Sequence, residues 1–166
     1  MVGSGNGGGH DEETLYSWFG NKEGLFTTLI VENADASAER VHAALDADAD
    51  PYDTLASYAK GLLSLLTSER SIALNQASMT SPELAATLLQ SGRHRVGPLV
   101  ESYLATLAEA GYLKITDPAD AFTLLYGLVV RDTQIRVLLG EKPPSSTERT
   151  KRARVAVDQF LELNKS

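Results

Sequence analysis

The chain has 166 residues, 43% of them hydrophobic and 22% charged, with a net charge of −7 and no cysteine. A chain of this length buries roughly 70% of the surface its unfolded form exposes, so it needs no disulfide or metal to fold, and it has no thiol nucleophile or thiolate metal site. No apolar run approaches the ~20 residues of a membrane span, and the N-terminus lacks the basic-then-apolar order of a signal peptide, so a cytoplasmic protein with no membrane partner is expected.

Residues 1–10, MVGSGNGGGH, hold five glycines, too little apolar surface to offset the entropy of ordering, and read as a flexible tail. Asp11 is placed to cap a short helix over 12–19 that closes at Gly20. Asn21 then caps a long helix to about residue 45, whose Leu25, Phe26, Leu29, Ile30, Ala34, Ala38, Val41 and Leu45 follow the spacing of one buried stripe. The run DADAD at 46–50 breaks it. Asp50-Pro51 is a cap followed by proline at the first helical position, and Tyr52, Leu55, Ala59, Leu62 and Leu66 mark the inner face of the next helix.

Residues 68–79 form a further helix with Ile72, Asn75, Gln76 and Met79 as its inner side. Ser81-Pro82-Glu83 opens a helix read as continuous to Gly111 and kinked at Pro98, where a backbone donor is missing. Asp117-Pro118 opens another, read as continuous to Gly140. Ser145-x-x-Glu148 is a capping box for the last helix, which runs to about residue 163. No segment alternates like a strand and no period of 20–50 residues repeats. The expected fold is all-α.

Several constellations bear on chemistry. The three histidines, His10, His42 and His94, are far apart and fit no helical metal motif; no metal, cofactor or catalytic residue is expected, since no nucleophile–base spacing is visible either. Arg149, Lys151, Arg152 and Arg154 form a basic run in which Arg152 and Arg154 stand four residues from Glu148 and Asp158, as a solvated or subunit-crossing charge face would. Residues 121–130, AFTLLYGLVV, are apolar around nearly the whole helix. Such a helix is buried on all sides, either at the centre of a monomer or between two subunits. The second alternative makes Phe122, Gly127 and Val130, with Phe160 from the last helix, the seam of a homodimer. Asn75, Gln76, Tyr103 and Tyr126, beside Leu62 and Met79, form the mixture of apolar walls and few polar groups that lines small-molecule pockets, for an apolar or amphipathic ligand.

The stretch from Leu15 to Phe26, LYSWFGNKEGLF, resembles the end of the DNA-binding head of TetR-type transcriptional regulators. It has the leucine–tyrosine pair, a phenylalanine three residues later, then lysine, an acidic residue and leucine, all at the family's spacing. The resemblance implies a helix-turn-helix head, a connecting helix, a ligand-binding bundle and two dimer-forming helices. It also implies that Tyr16 and Lys22 contact DNA phosphates, a role suited to a helix N-terminus bearing a lysine. On this reading residues 1–20 are a tail plus a remnant of the recognition helix, and 21–166 are a TetR-like C-terminal ligand-binding and dimerisation domain. The segment before Lys22 has no lysine or arginine and carries Asp11, Glu12 and Glu13. Phosphate neutralisation is thus poor there, and DNA binding is expected only of a form with a full head. The alternative is a helical module that binds ligand, or poisons full-length relatives, without reading DNA; a helical-bundle enzyme finds no support.

Overall fold

A computed structural model describes the backbone of residues 2–165 and the side chains of residues 22–165. It consists of α1 (Val2–Asp46), α2 (Pro51–Leu66), α3 (Glu69–Ser78), α4 (Pro82–Ser91), α5 (Arg93–Glu109), α6 (Pro118–Val130), α7 (Thr133–Leu138) and α8 (Ser146–Leu163), with no strand among the described residues. The fold is the expected all-α bundle. The backbone of α1 runs without a break through Gly20, so the expected tail, the short helix closing at Gly20 and the start at Asn21 are not separate elements, and the side chain of Tyr16 lies outside those described.

Helix starts follow local chemistry. Asp50 accepts from the amides of Tyr52 and Asp53 at 3.0 and 3.3 Å, and Pro51 stands where no amide partner is needed. Ser81-Pro82 and Asp117-Pro118 repeat the device for α4 and α6, through bonds to Leu84 and Ala119. Ser68 and Ser145 cap α3 and α8 through Ser71 and Glu148. At the end of α5, Gly111 takes φ +87° and the Tyr112 amide reaches back to the Leu107 carbonyl at 2.9 Å, a left-handed closure that favours glycine.

Two of the expected helices are each divided. The stretch 82–111 breaks at Gly92 into α4 and α5, whereas Pro98 is accommodated six residues into α5. A β-carbon on Gly92 would sit 3.0 Å from the Leu88 carbonyl oxygen, so the break depends on glycine. The stretch 118–140 breaks at Arg131, which holds φ 48° and ψ −130°. That conformation is costly for a side-chain-bearing residue, by about 1–3 kcal/mol. The Arg131 guanidinium is tied to Gln159 of α8 at 2.7 Å, and its amide still donates to Gly127 at 3.0 Å.

The main core joins α2, α5, α6 and α8: Leu55, Leu63, Val100, Leu104, Leu125, Val157 and Phe160 are fully enclosed there. A smaller apolar cluster of Ile30, Leu74 and Leu84 fastens α1 to α3 and α4. In α3 the buried side is Ser71, Leu74 and Ser78, not the face through Ile72, Asn75, Gln76 and Met79 expected from sequence. The one-residue offset places two serines inside, where Ser78 donates to the Leu74 carbonyl at 2.7 Å and the Ser71 hydroxyl accepts from Asn33 of α1 at 3.3 Å.

Candidate functional site

α5 and α6 meet through paired positions four residues apart. Gly97 lies against Phe122: a β-carbon at Gly97 would come within 3.3 Å of the ring. One turn earlier on α5, the Arg93 guanidinium sits 5.2 Å from the centroid of Phe122 and 4.5 Å from that of Tyr126. The two rings are tilted at 58° with centroids 6.0 Å apart. Tyr58 of α2 is 4% exposed and completes the group. Burial pushes the Tyr58 phenol well up, with the Tyr126 phenol adding to the shift and Arg93 opposing it. Burial also raises Tyr126, opposed by Arg93, which is close enough to donate to its hydroxyl. Both phenols therefore stay protonated at neutral pH. Arg93 forms no ion pair among the described residues.

The six sequence-selected pocket residues divide into two groups. Leu62, Tyr103 and Tyr126 are half-buried against the main core. Asn75 instead donates to the Ser71 carbonyl of its own helix at 2.8 Å, Gln76 is exposed and donates to the Leu138 carbonyl at 3.0 Å, and Met79 is 63% exposed. The last two are thus on the outside of α3, for the reason of helix phase given above. Arg93 and Tyr58 were missed. The i,i+4 pairs Arg93–Gly97 and Phe122–Tyr126 were the available signal, but reading 82–111 as one helix put Arg93 out of phase.

The expected dimer residues also need correction. Phe122, Val130 and Phe160 are buried within one protomer and cannot form an outer seam without unpacking it. Gly127 does lie outside, with no atom within 4 Å of where its β-carbon would be. Around it the exposed face of α6 and α8 presents Leu124, Val155 and Leu163. A shallow depression there is lined by Leu128, Arg131, Asp158, Gln159, Glu162 and Leu163. The i,i+4 pairing expected of the basic run is not formed. Arg152 donates to the Thr133 hydroxyl at 3.0 Å and Arg149 to the Pro144 carbonyl at 2.7 Å, holding α8 to the segments around it.

α1 is attached to the bundle by its small apolar cluster, by Val41 and Leu45 packed on the main core, and by polar contacts. Asn33 donates to the Ser71 hydroxyl at 3.3 Å, and Asp35 pairs with Arg95, two residues from Arg93. Lys22 is exposed at the described start of α1, its ammonium 5.9 Å from the Phe26 ring. Among the described residues no group of histidine, cysteine or carboxylate side chains is arranged to hold a metal, and no helix is long and apolar enough to cross a membrane.

Residues 53–163 match the family described as AefR-like transcriptional repressor, C-terminal domain. Solved structures share the fold. A chain from Mesorhizobium loti MAFF303099 described as a TetR-family transcriptional regulator superposes with a TM-score of 0.77 at 20% identity, over 93% of this chain and 80% of that one. A TetR transcriptional regulator from Agrobacterium tumefaciens gives 0.69 at 29% identity, over 93% and 78%. The flavonoid-responsive regulator FrrA gives 0.71 at 22% identity, over 92% and 80%. No curated protein is significantly similar to the chain.

Proposed function

We propose, from the premise that this chain belongs to the TetR family of transcriptional regulators through its AefR-like C-terminal domain, that it works as a cytoplasmic homodimer switched by a small molecule. Regulation of transcription, not catalysis, is the activity of the family. The dimer is the part best supported by the chain's own surface. Leu124, Leu128, Val155 and Leu163 expose apolar area on the neighbouring faces of α6 and α8, with Gly127 leaving room for close approach. Pairing of this face with its two-fold copy makes a four-helix arrangement, and an obligate interface of this kind buries on the order of 2,000 Å² or more. The ligand is a small apolar or amphipathic molecule held among α2, α5 and α6, with Leu62, Tyr103 and Tyr126 on its walls. The DNA contacts assigned by resemblance are Tyr16 and Lys22 to phosphates. Ligand binding then acts by favouring one of two placements of α1 on the bundle, since a ligand shifts an equilibrium only through differential affinity.

The exposed α6–α8 face carries this reading, and multi-angle light scattering tests it. A dimer is expected at micromolar protein concentration, and a monomer there would overturn the proposal.

A further inference from the structure

We infer that Arg93, Tyr58 and Tyr126 form an anchor for the oxyanion of an acidic aromatic ligand. The inference rests on the small-molecule reading above and narrows it to a chemical class. The juxtaposition has three parts. First, Arg93 is a half-buried cation stacked over two rings without a carboxylate partner among the described residues. A guanidinium presents donors in a planar fork that fits a carboxylate bidentately, and stacking on ring faces leaves the edge donors that do not meet the Tyr126 hydroxyl for such a partner. Second, the Tyr58 hydroxyl lies within electrostatic reach of Arg93 and Tyr126 and makes no hydrogen bond among the described residues; the residue is 4% exposed, yet its oxygen is not one of the enclosed unpartnered atoms, which are Thr54 Oγ1 and Arg149 Nε. The hydroxyl therefore keeps contact with solvent and can donate to an acceptor that displaces water there. Third, both phenols keep their protons, so the cluster offers donors and positive charge and repels cations.

The rings set the rest of the preference. Tyr126, half-buried and tilted against the enclosed Phe122 ring, leaves part of its own ring on which a flat apolar body can pack beside its acidic group. Because Arg93 is not sealed, a solute reaches the guanidinium from solvent without the main core opening.

The test is calorimetric titration of the protein with matched aryl carboxylates and carboxamides, in benzoic, cinnamic and naphthoic pairs, at neutral pH. The acid of the best-binding pair is expected to bind about tenfold or more tightly than its amide. Arg93→Gln should abolish that preference while leaving amide affinity within about threefold, and Arg93→Lys should retain part of it. Tyr58→Phe, which removes only the unpartnered hydroxyl, should weaken the acid several-fold without changing the far-UV circular dichroism. If Arg93→Gln does not fold, the Lys and Tyr58→Phe variants decide the matter, and an undiminished acid preference in both would overturn the anchor. Equal binding of acid and amide by the wild type overturns the anchor and leaves the small-molecule reading standing. Silence of both series overturns the small-molecule reading and the anchor with it.

Discussion

The ring of Phe122 is 5% exposed and is enclosed by Gly97, Arg93 and Tyr126, whereas Leu124, two positions on, is 38% exposed on the opposite side of α6. Truncating a buried phenylalanine costs about 3–5 kcal/mol through lost transfer energy and the cavity left behind. Phe122→Ala is therefore expected to lower the urea midpoint severely, and Leu124→Ala to shift it slightly in dilute protein. Similar losses for both would mean that the α6 faces are misassigned. Tyr58 carries a second expectation at this scale. Its folded pKa is raised above the unfolded value of about 10, so above that pH the unfolded state gives up a proton that the folded state keeps. Stability is unaffected below pH ~10 and falls as pH rises beyond it, by at most about 1.4 kcal/mol per pH unit from this one group. Tyr58→Phe should flatten that alkaline decline, measured by denaturant titration from pH 8 to 11. An unchanged slope would count against the burial of a protonated phenol.

At the scale of elements, the division between α4 and α5 places Arg93 and Arg95. Gly92 stops α4, and α5 restarts with Arg93 turned toward α6 and Arg95 paired to Asp35 of α1. A single turn of α5 thus touches both the aromatic pair and the connecting helix. Gly92→Ala gains up to about 1 kcal/mol of helix propensity, but its β-carbon meets the Leu88 carbonyl at 3.0 Å, and a backbone atom yields less readily than a side-chain tip. The net expectation is a loss of about 1 kcal/mol or more, read as a lower thermal midpoint. A gain in midpoint would show that 82–109 prefers one continuous helix. The Arg95–Asp35 pair is itself exposed, and exposed pairs contribute about 0–1 kcal/mol. It suits a contact that is remade between two placements of α1 better than one that locks it.

For the whole molecule, the decisive quantity is the assembly. Gly127 is exposed with open space around it in the protomer, so a tryptophan there leaves the folded subunit intact and meets obstruction only from a partner. Gly127→Trp is expected to convert the dimer to a monomer with unchanged helicity, measured by light scattering and circular dichroism together, because bulk inserted into a packed seam is not absorbed. A dimer that survives the change would move the interface away from this face.

The helix starts and the all-α class were legible in the amino-acid sequence because their causes are local. Asp50, Ser81, Asp117 and Ser145 each bond an amide two or three residues away, and three of them precede a proline. The family was legible for a similar reason, since LYSWFGNKEGLF is contiguous. Which face each helix buries was not local. Gly92 and Arg131 interrupt what periodicity reads as single helices, and each interruption resets the phase of everything after it. Arg93 could then turn inward. Phe122 and Val130 belong to the protomer core because α5 and α8 cover one side of an apolar helix whose composition alone does not distinguish core from interface. Only the packing of α2, α5, α6 and α8 decided that Gly127, of the four expected seam residues, is the one left facing outward.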